Sequence, residues 1–310
     1  MKKHENACTY KNKLKSAITI GTFDGVHIGH KKIIERLTSV AKENNLESII
    51  LTFFPHPRMV LQKDASIRLI NTMEERSQIL DRTGLNHLVI HPFSTEFSQL
   101  PAKEYVKQML VNYLKAEKII IGYDHRFGKG RTANIQDLIA YGKEFDFDVE
   151  EISQQDIEDV AVSSTKIRRA LEVGEIEKAN KYLGYNFMLT GKIEKGNQIG
   201  RTLGYPTANM QIMETYKLIP KSGVYVVKSC IDNKTYYGMM NIGNNPTVGG
   251  KKQTIETYFF DAEFNLYEKK LQIELLKRIR DEKKFDSMKD LKEAMSDDED
   301  FAREYIDTHI

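Results

Sequence analysis

The sequence predicts an α/β protein in which a doubly wound parallel sheet is followed by a small antiparallel β-barrel and a C-terminal helix. Two observations carry this prediction. Up to about residue 149, short apolar runs rich in Ile, Leu and Val alternate with amphipathic helical patterns, which is typical of parallel strands buried on both faces. After about residue 185, period-two segments separated by turn signals replace the helices, which indicates antiparallel strands.

The elements of the first half follow from this alternation. Strands are predicted at AITIGTF, ESIILTFF, HLVIHPF and AEKIIIGY. Helices are predicted at HKKIIERLTSVAKENN, TMEERSQILDRTG, AKEYVKQMLVNYL and IQDLIAYGKEF, and RRALEVGEIEKANKYLG, which is also helical, closes this half. Open parallel sheets bind ligands beyond the carboxyl ends of their strands, so the residues after AITIG are the first place to look for a site.

The second half contains five or six short segments of antiparallel type, which imply a small barrel. These are FMLTGKIEKG, GVYVVKSCI, KTYYGMMNIG, TIETYFFDAE and KLQIELLKRI. Turn signals at Asp232-Asn233 and Gly249-Gly250 separate several of them. The tail from Ser287 to His309 is predicted to be helical, with its acidic cluster SDDEDF on a solvated face or turn. We therefore divide the chain into domains at residues 1–185 and 186–310.

Composition narrows the class of protein. The chain has 310 residues, of which 40% are hydrophobic and 29% charged, and its net charge is only +2, nearly balanced in both halves. Bulk positive charge of the kind that binds nucleic acid is missing, so no nucleic-acid partner is predicted. The two cysteines, Cys8 and Cys230, are far apart and are expected to be free thiols. With no apolar h-region and no stretch near 18 apolar residues, we expect a cytoplasmic protein without a membrane partner.

The stretch GTFDGVHIGH, residues 21–30, is the first motif with chemical content. A strand that runs through a glycine-rich turn into a helix leaves free backbone N–H groups, which favour phosphate. His27 and His30 flank the small Gly29 and could both point into such a pocket, where imidazolium donors would stabilise charge that builds on a phosphoryl group. For the histidine pair taken alone, surface or helix-capping roles are an equal alternative.

A second basic and hydroxylated stretch, VSSTKIRRAL, supports a phosphate site. It places Ser163, Ser164 and Thr165 at the start of a helix with Arg168 one turn further on. An ordinary helix N-cap explains one of these hydroxyls. Three together, followed by an arginine that can bind phosphate oxygens bidentately, favour anion binding. The polar loop GYDHRFGKGRTAN lies between the two motifs in the sequence and is suited to closing over a ligand.

The strongest signal in the second half is GKIEKGNQIGRTLGYPTANM, residues 191–210. Its glycines make a backbone-rich loop that could fold over phosphates. Pro206 fixes the backbone before Thr207 and Asn209, whose side chains point the same way on an extended segment and offer hard oxygens to Mg²⁺. A glycine-rich hairpin with turn-forming Asn and Pro is the structural alternative.

Taken in order, these motifs resemble a known family. G-x-F-D-G-x-H-x-G-H, F-F-P-H-P, G-x-D-x-x-F-G and S-S-T-x-I-R look like the nucleotidyltransferase module of bacterial bifunctional riboflavin kinase/FAD synthetases. G-R-x-x-G-x-P-T-A-N, with IPKSGVYVV, NIGNNPT and IETYFFD, resembles their riboflavin kinase module. The H-x-G-H motif is shared with class I tRNA synthetases, but their K-M-S-K-S signature is absent. The resemblance runs from about Ala17 to Leu291, and only Tyr123 and His125 depart from the usual residues of their loop.

The resemblance implies two reactions: phosphorylation of riboflavin to FMN by residues 186–310, and adenylylation of FMN to FAD by residues 1–185. ATP would be the co-substrate of both and Mg²⁺ the cofactor. The implied catalytic residues are Glu256, His27 and His30. The first ATP site would comprise Gly21, Phe23, Asp24, Gly29, Ser164, Thr165 and Arg168, with Asp124 and Phe127 at FMN. The kinase ATP site would comprise Gly191, Lys192, Gly200, Arg201, Gly204, Thr207 and Asn209, the last two also holding the metal.

Two alternatives stand beside this interpretation. One is another nucleotidyltransferase of the H-x-G-H superfamily, such as one that acts on pantetheine phosphate; those are single-domain proteins, and the P-T-A-N segment disfavours them. The other is a flavin-binding regulatory protein that has lost catalysis. The joint presence of His27, His30, Thr207, Asn209 and Glu256 argues against it. Partners are predicted to be small molecules, and no oligomeric state is predicted.

Overall fold

A computed structural model describes residues 1–62, 67–122, 125–152, 162–195, 204–247, 250–262 and 265–310. The chain divides into two compact units, Met1–Ser164 and Thr165–Ile310. Within the described ranges, no helix is both long enough and apolar enough to span a membrane.

The first unit is built on a six-stranded sheet in the order β1-β4-β3-β2-β5-β6. All neighbouring strands in it are parallel, which confirms the predicted parallel sheet. The order reverses at β2, and the loop after β2 carries the histidine motif. The strands are β1 (Lys2–His4), β2 (Ser16–Ile20), β3 (Glu47–Phe54), β4 (His87–Pro92), β5 (Ala116–Gly122) and β6 (Asp148–Ile152).

Helices connect these strands, as the alternation predicts. In the first unit they are α1 (Ile28–Glu43), α2 (Pro57–Leu61), α3 (Met73–Asp81), α4 (Ala102–Tyr105), which continues as a π-helix over Val106–Tyr113, and α5 (Ile135–Phe145). Short 3₁₀ turns occur at Ala7–Thr9, Phe97–Gln99 and Lys129–Arg131. All five residues of β2 are buried, as is typical of a central strand with protein on both faces.

The stretch predicted to be helical over residues 168–184 is helical, and it forms two helices. These are α6 (Ser164–Val173) and α7 (Ile176–Leu183). Gly174 between them has a φ of +85°, and a Cβ there would lie 2.7 Å from the Arg278 side chain. The first helix ends here because only glycine fits both the left-handed conformation and the close contact with Arg278.

Residues 165–185 pack with the second unit, although the sequence-based division assigns them to the first domain. The backbone N–H of Lys221 donates to the carbonyl of Leu171 at 3.0 Å. The amide of Asn180 donates to the carbonyl of Leu275 at 2.9 Å. Where the boundary between the two activities lies stays a prediction.

The second unit is a closed barrel in the order β10-β11-β8-β7-β12-β9, which confirms the small antiparallel barrel. Asp232 and Asn233, both at positive φ, form the β9–β10 turn as predicted; Gly249 lies outside the described residues. The strands are β7 (Met188–Glu194), β8 (Ala208–Gln211), β9 (Gly223–Ile231), β10 (Lys234–Thr247), β11 (Gly250–Phe259) and β12 (Lys270–Arg280).

The C-terminal helix α8 (Met288–His309) is confirmed, with Ser287 as its N-cap. The acidic cluster of this helix is predicted to lie on a solvated face or turn, and Asp298 departs from that prediction. Asp298 is only 4% exposed and accepts two hydrogen bonds from the Arg280 guanidinium, at 2.8 and 2.7 Å. The helix periodicity turns Asp298 towards the barrel, where a bidentate arginine compensates the burial of its charge.

Candidate active sites

The loop after β2 ends in helix α1, and His27 caps that helix. His27 is 6% exposed, and its Nδ1 accepts the backbone N–H of His30 at 3.3 Å. Because Nδ1 accepts, the proton of a neutral His27 ring lies on Nε2. The capping role and a catalytic role are compatible, since the second nitrogen still has an N–H to donate.

The two histidine rings stack on each other. Their centroids lie 3.6 Å apart with an interplanar angle of 15°. A Cβ at position 29 would lie 3.3 Å from both Nδ1 and Cε1 of His27. Gly29 therefore makes room for the His27 ring, which is a second reason for glycine in addition to the predicted space for a ligand.

His30 is held neutral in the folded protein. Burial lowers the pKa of His30 well below its usual value, and the neighbouring His27 and Arg76 lower this pKa further. The sequence-based expectation of two imidazolium donors therefore does not hold at His30 near pH 7. Its Nδ1 is buried and has no hydrogen-bond partner among the described residues. An unsatisfied buried ring nitrogen is costly, so this atom is available to a bound ligand.

The buried carboxylate of Asp24 fixes the conformation of the loop after β2. This carboxylate is fully buried, accepts the N–H of Ile70 at 3.1 Å from each oxygen, and lies 3.1 Å from Nη2 of Arg76. Nη1 of Arg76 donates to the carbonyl of Thr22 at 2.7 Å. Asp24 thus ties the loop to the start of α3, while its predicted contact with ATP stays a prediction. Sequence reasoning missed Arg76 because it lies 52 residues from Asp24 and no motif marks it.

The same loop is strained. Phe23 and Val26 have positive φ values of 47° and 35°, which a β-branched residue such as Val rarely adopts. A Cβ at Gly21 would lie 3.0 Å from the Phe23 ring, so Gly21 makes room for that ring. Strain of this kind persists where surrounding contacts over-determine the backbone, as the Asp24 contacts do here, and it is common at functional sites.

Ser164 of the S-S-T-x-I-R motif is hydrogen-bonded to this loop. It is the last residue of the first unit, and its Oγ donates to the backbone carbonyl of Asp24 at 2.8 Å. Thr165 and Arg168 follow on α6 as part of the second unit. Their role in nucleotide binding stays a prediction.

An aromatic and histidine cluster lies beside the carboxyl ends of β3 and β4. Phe97 is at its centre, 4.7 Å from the His91 ring and 5.6 Å from the Phe53 ring. Tyr105 lies 6.0 Å from Phe97 and 5.9 Å from the predicted Phe127. Among these residues sequence reasoning singled out only Phe127, because the others are scattered along the chain. Its predicted companion Asp124 lies outside the described residues.

In the barrel, β8 and β11 bring the P-T-A-N segment to Glu256. Asn209 pairs with Glu256 across the strands, and the Thr207 hydroxyl donates to Oε2 of Glu256 at 3.4 Å. Ile255 is 6% and Thr257 0% exposed while Glu256 is half-buried, which confirms the predicted alternation along this strand. Burial raises the pKa of Glu256, and the hydrogen bond from Thr207 opposes that rise.

Of the five remaining residues predicted to bind ATP at the kinase site, the structure describes three. A Cβ at Gly191 would lie 2.5 Å from the carbonyl oxygen of Gln211, so this glycine permits close strand packing. Lys192 forms an ion pair with Glu268, and Gly204 adopts a φ of +89°. Gly200 and Arg201 lie outside the described residues. Binding of ATP by these five residues stays a prediction.

Comparison with known proteins gives a family match for each part of the chain. A family model described as FAD synthetase matches residues 9–166, and one described as riboflavin kinase matches residues 183–306. A bifunctional riboflavin kinase/FMN adenylyltransferase of Buchnera aphidicola (Schizaphis graminum) is 37% identical over 94% of both chains. That of Escherichia coli K12 is 32% identical over 93% of this chain and 92% of its own.

The chain belongs to the bifunctional riboflavin kinase/FMN adenylyltransferase family. A crystal structure from Streptococcus pneumoniae, titled as a macrolide-efflux protein, shares the fold of this family member at a TM-score of 0.88 with 31% identity, covering 97% of this chain and 98% of its own. The FAD synthetase region contains the stacked histidines, and the riboflavin kinase region contains Thr207 and Glu256.

The family implies a magnesium ion, and the oxygen atoms beside Glu256 fit one. Thr207 offers a hydroxyl and Asn209 an amide oxygen, and both are hard ligands. In the ranges that the structure describes, no group of three His, Cys, Asp or Glu residues could hold a metal. Mg²⁺ is usually bound by a few protein oxygens together with substrate phosphates and water. This donor set therefore suits a metal that arrives with a nucleotide.

Proposed function

We propose that this family member phosphorylates riboflavin to FMN through residues 186–310 and adenylylates FMN to FAD through residues 1–185, with ATP as co-substrate of both steps. The observation that carries the proposal is the presence in one chain of both sites: two stacked histidines at a helix N-terminus, and a half-buried glutamate bonded to the threonine of P-T-A-N. We further propose Mg²⁺ as cofactor and the cytoplasm as location.

In the kinase step, the terminal ribityl hydroxyl of riboflavin attacks the γ-phosphate of ATP, the bond between the γ-phosphorus and the bridging oxygen breaks, and ADP leaves. Glu256 takes the hydroxyl proton, and the burial that raises its pKa brings it nearer to the pH at which a general base is most effective. Thr207 and Asn209 would hold Mg²⁺, which when bound offsets the negative charge of the phosphates. Binding of the nucleotide by residues 196–204 stays a prediction, since residues 196–203 lie outside the described ranges.

In the adenylyl transfer step, the FMN phosphate attacks the α-phosphate of ATP and pyrophosphate leaves. The N–H groups of His27 and His30 donate to the phosphoryl oxygens on which charge develops. The hydroxyls of Ser164 and Thr165 and the Arg168 guanidinium assist them. Contacts of Asp124 and Phe127 with FMN stay predictions. No covalent enzyme intermediate is required.

The test is a single incubation of the full chain with riboflavin, ATP and Mg²⁺, followed by chromatographic separation of the flavins. We expect FMN to form first and FAD to follow, with one pyrophosphate released per FAD. Binding of riboflavin without turnover would favour the regulatory alternative. Adenylylation of pantetheine phosphate in place of FMN would favour the other nucleotidyltransferase.

The separation of the two activities gives a further prediction. A fragment of residues 1–185 is expected to convert FMN to FAD and to leave riboflavin unchanged, because the histidine loop, Ser164 and Arg168 all lie within it. The same chromatographic assay measures both products.

Two kinase fragments serve as controls for this division. Residues 165–310 retain α6 and α7 with the barrel they pack against, whereas residues 186–310 lose the Asn180 and Leu171 contacts. We expect the longer fragment to phosphorylate riboflavin and to melt at a higher temperature than the shorter one. A folded 1–185 fragment that fails to form FAD would show that the boundary is misplaced.

A further inference from the structure

Tyr205 lies two residues before Thr207 and forms an aromatic contact beside the kinase site. Its ring packs edge-on against that of Tyr258, with centroids 5.0 Å apart and an interplanar angle of 74°. Tyr258 follows Glu256 by two residues on β11, so both side chains lie on one face of the strand. The Tyr205–Tyr258 pair therefore flanks the Thr207–Glu256 pair.

Backbone pairing alone constrains Thr207 weakly. Strands β8 and β11 pair at Asn209↔Glu256 and Ala208↔Thr257, and β8 begins only at Ala208. Thr207 thus precedes the strand, next to an exposed proline that has no N–H to donate. Its 3.4 Å hydrogen bond to Glu256 is long for two oxygens. A small displacement of this segment would separate the two side chains.

Helix α8 supports Tyr205 from a second direction. Tyr205, Tyr258 and Met295 all pack against one apolar cluster that includes Phe260 and Ala302. An edge-on aromatic pair of this kind stabilises its arrangement beyond the effect of its buried area.

An arginine fixes α8 to the end of β11. The Arg303 guanidinium donates to both carboxylate oxygens of Asp261, at 2.8 and 3.0 Å, and lies 4.6 Å from the centre of the Phe260 ring. It also pairs with Glu299 on its own helix at 2.8 Å. The surface that receives Tyr205 is therefore anchored at both the helix and the strand.

We propose that Tyr205 is a positioning residue for phosphoryl transfer: clamped between Tyr258 and α8, it holds Thr207 against Glu256. The inference rests on the proposed kinase site. Tyr205 acts through Thr207, and its contacts with Tyr258 and α8 are made by its ring. The ring is therefore required and the hydroxyl is dispensable.

The test compares Tyr205→Ala, Tyr205→Phe and, as a matched control in the same barrel, Tyr236→Ala, which lies on β10 opposite Ser229 and away from Glu256. In the full chain, Tyr205→Ala is expected to lower the kinase kcat roughly tenfold with the KM for riboflavin changed less than about twofold, as misplacement of a reacting group predicts. Tyr205→Phe and Tyr236→Ala should retain kcat. Hydrogen exchange at the amides of residues 207–211 should be faster in Tyr205→Ala alone.

A normal kcat in folded Tyr205→Ala, or an equal loss in Tyr205→Phe, would overturn the inference. If Tyr205→Ala does not fold, Tyr205→Leu decides, since it keeps apolar bulk without a ring: a lowered kcat supports the clamp and a normal one removes it. Glu256→Gln in the same assay distinguishes failure of this inference from failure of the proposed kinase site. If Glu256→Gln is inactive and Tyr205→Ala is normal, only this inference fails; if Glu256→Gln is also normal, the proposed kinase site fails.

Discussion

Replacing Glu256 by Gln is expected to lower riboflavin kinase turnover by roughly 10²-fold or more, because general-base assistance contributes about 10²–10⁴-fold. Glutamine keeps the shape of the side chain and can still accept the Thr207 hydrogen bond. It cannot take the proton of the ribityl hydroxyl. Steady-state formation of FMN from riboflavin under saturating ATP measures the effect.

The pH dependence of the same reaction gives a second readout. Burial raises the pKa of Glu256, so the wild-type kinase should lose turnover as the pH falls through that raised pKa. Glu256→Gln has no such group, and its residual activity should not show this acid limb.

Stability separates a catalytic from a structural role for Glu256. A raised carboxylate pKa means that burial disfavours the charged form, so removing the charge should leave the melting temperature unchanged or slightly higher near pH 7. Glu293→Gln on the exposed face of α8 is the matched control and should affect neither turnover nor melting. Near-normal kinase turnover in Glu256→Gln would remove the proposed base.

Replacing His30 by Ala is expected to lower FAD formation by roughly 10²–10³-fold, the usual cost of losing one donor to a developing oxyanion. The pKa of His30 adds a condition: since burial and neighbouring groups keep that pKa well below its usual value, His30 should not add a histidine titration near pH 6.5 to the pH profile of FAD formation. Formation of FAD from FMN and ATP, followed by chromatography, measures both effects.

The controls for His30 use the other activity and a second histidine. Riboflavin phosphorylation should persist in His30→Ala, and the exposed His309→Ala variant should retain both activities. His27→Ala should also lose FAD formation, but it removes the cap of α1 as well and is expected to melt earlier. Equal loss of both activities in His30→Ala would instead indicate a shared site or a folding defect.

The sequence predicts those parts of the fold in which local pattern and buried environment agree. The helix IQDLIAYGKEF corresponds to α5 residue for residue, and ESIILTFF corresponds to β3. Both have strong periodicity or continuous apolar character. Edge strands β1 and β6 have neither, since KKH and DVEEI are mostly charged, and sequence reasoning did not predict them.

The sites are predictable to the extent that they are contiguous in sequence. The motifs GTFDGVHIGH and P-T-A-N predict the site residues that lie within them. The residues that support these motifs come from elsewhere in the chain. Arg76 reaches Asp24 across 52 residues, and Phe97 joins Phe53 and His91 only after the sheet forms. Spacing along one sequence carries no record of such pairs, which depend on strand order and helix packing.

The strand orders of the two units also bear on aggregation. A closed barrel presents no unpaired row of N–H and C=O groups to a neighbouring molecule, whereas an open sheet exposes two such rows. Here both exposed rows are on short strands dense in charge, Lys2–His4 at one end and Asp148–Ile152 at the other. A strand from a second molecule that paired there would have to strip water from those charges. The same charged composition that hides β1 and β6 from sequence prediction therefore protects the open sheet from edge-to-edge association during folding and at high concentration.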